Sequence, residues 1–145
     1  MLKYGPRVRS LVRSSTMRLE AFDHVALNVS NLERSTRWYQ EVLGLRRTYA
    51  DAWPNYPVVL EAGGSGVALF PSHREGKARY PDMEEVAMQQ LAFRTSRQHF
   101  ESAKAELGDR GIEFVERDHG IAWSVYLRDP DGFDVEITTY EPVSE

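Results

Sequence analysis

Asp23-His24-Val25-Ala26-Leu27-Asn28-Val29-Ser30 returns later in the chain as Gln89-Gln90-Leu91-Ala92-Phe93-Arg94-Thr95-Ser96, and the two octets align without a gap. Both alternate apolar with other residues at period two, the mark of a strand with one buried face. Val25, Leu27 and Val29 match Leu91, Phe93 and Thr95 on one side. His24, Ala26 and Asn28 match Gln90, Ala92 and Arg94 on the other. Self-similarity of this kind makes the chain two copies of one supersecondary unit.

Each octet leads into helical spacing. Asn31 to Leu43 carries Leu32, Trp38, Tyr39 and Val42 as an apolar stripe, and Arg97 to Leu107 carries Phe100, Ala103 and Leu107. Ser30 or Asn31 is placed to cap the first helix, while Gly44 and Gly108 are expected to end the two helices in left-handed backbone. Three short strands then follow in each half, at about 46–52, 57–62 and 66–71, and at 112–116, 122–128 and 133–140. The last strands repeat as well: Gly64-Ser65-Gly66-Val67-Ala68-Leu69-Phe70 lies against Gly132-Phe133-Asp134-Val135-Glu136-Ile137-Thr138, so Glu136 stands where the first half has Ala68. The expected fold is therefore α+β, with two β-α-β-β-β modules, about 21–72 and 88–141, forming curved mixed sheets around a central pocket within one domain of residues 21–141. Residues 73–88, rich in charge and containing Pro81, read as the linker.

With 145 residues, 41% of them apolar, the chain is long enough for a sizeable core. Its net charge of −4 conceals a basic tail, since residues 1–19 hold Lys3, Arg7, Arg9, Arg13 and Arg18 and no acid. Residues 1–20 read as a disordered or non-native extension, with Met17 marking an alternative start and a transit peptide as the other reading. The acidic remainder argues against nucleic acid, which demands clustered positive charge. No stretch approaches the apolar length of a membrane span. Zero cysteines exclude disulfides and thiolate chemistry and fit a reducing compartment, the cytoplasm.

Four positions on the more polar strand face are equivalent under the repeat: His24, Ala68, Gln90 and Glu136. Three of them can ligate a metal, and imidazole, amide oxygen and carboxylate make a mixed donor set suited to Fe, Mn, Zn or Ni with positions left open. Singly, each has a plainer reading, a hydrogen-bonded structural His or an inward Glu paired with Arg. Period two also sets Arg94 beyond Gln90 and Asn28 beyond His24, so a guanidinium stands ready for a substrate carboxylate or phosphate, or for a neighbouring acid at the rim.

These stretches, with Trp38-Tyr39-Gln40-Glu41-Val42-Leu43-Gly44-Leu45 and with Ser124-Val125-Tyr126-Leu127-Arg128-Asp129-Pro130-Asp131-Gly132-Phe133-Asp134-Val135-Glu136, resemble the vicinal oxygen chelate superfamily of glyoxalases, bleomycin-resistance proteins and extradiol dioxygenases. The resemblance runs from about Phe22 to Tyr140. It implies a divalent metal held by His24 and Glu136, with Gln90 where the family commonly has a His. An amide is the poorer donor to late transition metals, so weaker binding follows. Ala68 replaces a glyoxalase I carboxylate, which counts against that reaction.

His119 followed by Tyr126, Asp129-Pro130, Gly132 and Glu136 is also similar to an extradiol signature. That similarity implies proton transfer by His119 and a hydrogen bond from Tyr126 to a substrate oxygen. Arg117 departs from the small or aliphatic residue of that signature. The plainer reading makes Asp129-Pro130-Asp131-Gly132 a hairpin turn, Tyr126 core and His119 a loop residue.

Two functions follow. One is a metal-dependent enzyme, dioxygenase-like or lyase-like, acting on a small oxygen-chelating substrate, with His24, Gln90 and Glu136 at the metal, His119 and Tyr126 catalytic, and Arg94, Asn28 and Trp123 binding substrate. The other is a metal-free small-molecule binding or sequestration protein of the bleomycin-resistance type, with aromatic residues such as Trp53, Tyr56, Trp123 and Tyr126 lining its cleft. The resemblance further implies a homodimer, with a small molecule as partner and neither nucleic acid nor membrane.

Overall fold

The computed structural model describes residues 15–74, 76–78 and 84–143; Lys3, Arg7, Arg9 and Arg13 of the basic tail and Pro81 of the linker lie outside them. In chain order the elements are β1 (His24–Val29), α1 (Leu32–Glu41), β2 (Arg46–Thr48), β3 (Val58–Ala62), β4 (Ser65–Pro71), β5 (Leu91–Arg94), α2 (Arg97–Asp109), β6 (Val115–Asp118), β7 (Trp123–Arg128) and β8 (Asp134–Thr139). Each half builds its own four-stranded sheet, ordered β1-β4-β3-β2 and β5-β8-β7-β6. The first strand of each runs parallel to the last, and the remaining pairs are antiparallel. The chain thus has the α+β, two-module architecture that its repeat implies. The repeat holds to the level of register, for Ala26 pairs with Ala68 in the first sheet as Ala92 pairs with Glu136 in the second.

Period two decides what is buried. Leu27, Val29, Leu60, Val67 and Leu69 turn toward α1 and close over Tyr39, which is fully buried. Val125, Leu127 and Val135 turn toward α2, where Phe100 and Leu107 meet them. Each such side chain contributes about 1.5–3 kcal/mol by leaving water. Trp38, Leu43 and Phe93 pack against both clusters, so α1 and β5 form the seam between modules.

Three expectations need correction. The strand placed at 46–52 stops at Thr48, because Tyr49 turns into left-handed backbone with φ 58°. Gly108 does not end the second helix. It lies inside α2, and the left-handed residue after the helix is Gly111, with φ 65°. The two sheets also do not close around one central pocket. His24, Ala26 and Asn28 are exposed on the face of sheet 1 away from its helix, and Gln90, Ala92 and Arg94 are exposed at the edge of sheet 2. Among the described residues, no helix is long and apolar enough to cross a membrane.

The modules are clasped by the turn between β7 and β8. Asp131, almost wholly buried, sits before the N-terminus of α1, where the Ser30 amide donates to it at 3.1 Å and the Ser30 hydroxyl donates to its other oxygen. Arg34 adds an ion pair at 3.3 Å. The free amides and dipole of a helix start favour an anion there. Two turns into the helix, the Tyr39 hydroxyl donates to Asp129 at 2.9 Å, while the other Asp129 oxygen accepts the amides of Asp131 and Phe133. Burial holds the Asp129 carboxyl above its usual range, against the hydrogen bonds that pull it down, and burial likewise raises the Tyr39 phenol.

Tyr39→Phe strips a buried carboxylate of a donor and is expected to lower the unfolding free energy by about 1–3 kcal/mol in urea denaturation. Because the folded chain binds the Asp129 proton more readily than the unfolded chain does, the stability from this group is complete below the ordinary carboxylate range. It is lost as pH rises through the raised folded value. Unfolding curves from acid to neutral pH should therefore show the wild type losing ground steadily to Asp129→Asn, and parallel curves would refute the assignment.

Candidate functional site

The face of the second sheet away from α2 is set by register. Tyr126 pairs with Glu136 across β7 and β8, and Val115 pairs with Tyr126 across β6 and β7. Directly opposed residues share a face, so Glu136, Tyr126 and Val115 form one row across the sheet, with Thr138, Ser124 and Arg117 in the next. The turn from His119 to Ala122, closed by the His119 amide donating to the Ala122 carbonyl at 2.8 Å, brings the imidazole back over that row.

These residues are joined in a hydrogen-bonded chain. Gln90 Nε2 donates to Glu136 Oε2 at 2.5 Å, the Tyr126 hydroxyl donates to Glu136 Oε1 at 3.2 Å, and His119 Nε2 lies 2.9 Å from the Tyr126 oxygen. With the phenol hydrogen directed at Glu136, the facing His119 nitrogen is the donor. The chain runs from an exposed imidazole through a half-buried phenol to a carboxylate that is 8% exposed. Burial, and then the Glu136 charge, raise the Tyr126 pKa above its ordinary value. Below the chain lies a pair of buried hydroxyls, Ser124 donating to Thr138 at 2.9 Å. A cleft of about 630 Å³ opens over the assembly, lined by Gln90, Arg117, His119, Tyr126 and Arg128 among others.

The structure brings four of the expected site residues together, Gln90, His119, Tyr126 and Glu136, and leaves the others apart. His24 stands in the first sheet, where its Nδ1 bonds the adjacent Asp23 at 2.6 Å and its side chain is 44% exposed. Asn28 lines a separate cleft of about 410 Å³ with Tyr56 and Phe70. Arg94 stacks on the Tyr140 ring, 4.7 Å from its centroid, beside a third cleft of about 810 Å³ between the modules. Trp123 is one residue out of phase with Ser124 and Tyr126. It therefore faces the helix side, packed on the second core cluster. Trp53 packs against Tyr49 outside these clefts.

Glu136 is a buried carboxylate whose oxygens meet only an amide and a phenol, and no cationic side chain pairs with it among the described residues. A buried carboxylate without a cationic side chain has the charge and the lone pairs to take a cation. The Gln90 carbonyl oxygen, which carries no hydrogen bond among the described residues, is a second donor. Within one chain the set stops there: among the described residues no three His, Cys, Asp or Glu side chains gather as a metal cluster.

Sequence reasoning missed Asp129 and Asp131 as the clasp, and Ser124 and Arg117 as parts of this face. The Asp-Pro-Asp-Gly turn was visible, but its partners lie about a hundred positions earlier in the chain. The alternation of β7 was the signal that could have placed Ser124 beside Tyr126.

A model of the Glyoxalase/Bleomycin resistance protein/Dioxygenase superfamily matches residues 21–137. The chain is 29% identical over 119 residues to the Glutathione transferase FosA of Serratia marcescens, covering 82% of this chain and 80% of that one. It is 28% identical over 125 residues to the Catechol-2,3-dioxygenase of Bacillus subtilis, covering 83% of this chain but 42% of that protein. The crystal structure of Virulence protein STM3117 from Salmonella typhimurium superimposes with a TM-score of 0.62 at 26% identity, over 86% of this chain and all of that one.

Glu136→Gln removes a buried charge that no cation balances and keeps the shape, so the unfolding free energy is expected to hold or rise by about 1 kcal/mol. A loss of stability of that size in urea denaturation would show that the carboxylate serves the fold rather than the cleft.

Proposed function

The chain belongs to the Glyoxalase/Bleomycin resistance protein/Dioxygenase superfamily, and from that premise we propose a homodimeric, metal-dependent enzyme whose small-molecule substrate presents two neighbouring oxygens. The observation that carries this reading is a division. The buried Glu136 and the exposed Gln90 supply oxygen donors on one open sheet face, and the exposed His24 supplies an imidazole on the other. Two copies that set these faces together complete a three-donor site twice over. A divalent metal bound there supplies Lewis-acid polarisation of the two substrate oxygens.

The remaining work falls to the chain's own side chains. Tyr126 stands beside Glu136 with its hydroxyl at the cleft floor, positioned to donate to a substrate oxygen once that hydroxyl turns from the carboxylate. His119 contacts that phenol with one ring nitrogen and is exposed to water, so it can pass a proton between Tyr126 and solvent. Val115 gives the cleft an apolar wall, which suits a small ring or hydrocarbon frame. Dioxygenase-like and lyase-like reactions both use this set of roles.

One observation favours a second reading, a metal-free binding protein of the bleomycin-resistance type: the Gln90 amide turns its nitrogen to Glu136, closing the carboxylate within the chain.

The two readings separate on metal content and on complementation. Wild-type protein purified without chelator is expected to carry one Fe, Mn, Zn or Ni per chain and to run at twice the chain mass. His24→Ala and Glu136→Ala should each lose the metal. Co-expressed, the two variants form a mixed dimer with one intact site, so metal returns to about half a site per chain in the isolated mixed dimer and to about half of that in the unfractionated mixture. Wild-type protein that takes up none of the four ions supports the binding protein instead, and variants that never complement place all ligands in one chain.

A further inference from the structure

The cleft over Tyr126 holds a charge that the hydrogen-bonded chain does not use. Arg117 lies in β6 two residues before His119, hence on the same face, and register sets it opposite Ser124. Its only hydrogen bond among the described residues runs to the carbonyl of its neighbour Glu116, at 3.2 Å. No carboxylate among those residues pairs with it. Most of the guanidinium's donors are therefore left facing water and the cleft.

The other charges of the wall are accounted for. Arg128 is held by Asp134 at 3.3 Å, and Glu136 is bonded to Gln90 and Tyr126. The positive charge of Arg117 is also felt at Tyr126, where it draws the phenol pKa down against the larger effect of burial. Among the described residues, no contact that holds the fold together uses this guanidinium. Among the described residues it packs on no aromatic ring and bridges no strands, and it lies on the surface. A neutral substrate would leave it idle, whereas an oxyanion would meet its planar fork with two parallel hydrogen bonds.

We propose that Arg117 seats an oxyanion of the substrate, a carboxylate or a phosphate group, beside the oxygen that Tyr126 contacts, which makes the substrate an anionic small molecule. The proposal deepens the reading of this cleft as the substrate site and needs no metal to be tested.

The experiment is a titration of chelator-treated full-length protein, followed through its backbone amide resonances, with inorganic phosphate, with acetate and with neutral catechol. Saturable shifts at Arg117, Gly120 and Tyr126 are expected with phosphate or acetate, and whichever binds more tightly identifies the group. Arg117→Gln should weaken that anion roughly 10- to 100-fold, the size of a charged hydrogen-bond pair. Arg117→Lys should keep part of the affinity, and catechol binding should be unchanged in both variants.

Equal anion affinity in wild type and Arg117→Gln overturns the proposal, as does an equal loss of catechol binding or anion shifts confined to other regions. The same titration in His24→Ala keeps the two questions apart. Arg117-dependent binding that persists there stands even if no metal is ever found, and its absence in a metal-loaded wild type sinks the anion seat alone.

Discussion

Two buried carboxylates, Asp129 and Asp131, hold the halves of this chain at one face of one helix, and the rest of the architecture follows from where they hold it. Each module already has its own sheet and its own apolar cluster. What fixes one against the other is Asp131 before the first turn of α1, Asp129 under the Tyr39 hydroxyl, and a few shared side chains such as Trp38 and Leu43. Burying an acid is costly unless every lone pair is answered. Here backbone amides, hydroxyls and Arg34 answer them, and a raised Asp129 pKa is what remains of the cost.

Because the clasp works through α1 and the β7–β8 turn, the sheet faces that carry polar groups are turned outward rather than against each other. A concentration of chemistry in the second sheet results. Glu136 gains Tyr126 through the antiparallel register and Gln90 from just before the neighbouring parallel strand, while its counterpart in the first sheet is the methyl of Ala68. Duplication has thus left one half with a polar chain from surface to core and the other with an imidazole beside an exposed aspartate.

The succession of strands, both helices and the equivalence of Ala68 with Glu136 were legible in the sequence, because a half-buried strand and an amphipathic helix leave different periods in the order of residues. So was the grouping of Gln90 with Glu136, since equivalent places in a repeat meet equivalent neighbours. The length of β2 was not legible, for nothing in Arg-Arg-Thr-Tyr announces a left-handed Tyr49. Gly108 misled because a glycine is tolerated inside a helix whose last turn is otherwise supported. Trp123 looked like a cleft aromatic, yet one step of register sends a side chain to the opposite face. The separation of His24 from Gln90 lay beyond reach for a different reason. Symmetry predicts which positions correspond, but the relative placement of two modules depends on contacts such as Ser30 with Asp131, which no local pattern encodes.

That joint has an evolutionary side. A fold whose halves are each sheet-and-helix units with separate apolar clusters, and whose mutual orientation is written in a handful of polar side chains, behaves as a pair of tiles with an editable seam. Substitutions at Ser30, Arg34, Asp129 or Asp131 act on the joint between tiles without touching either tile's apolar cluster. Descendants can in this way trade one arrangement of faces for another, and with it the choice between a cavity made inside a single chain and one made between chains, while every strand keeps its register.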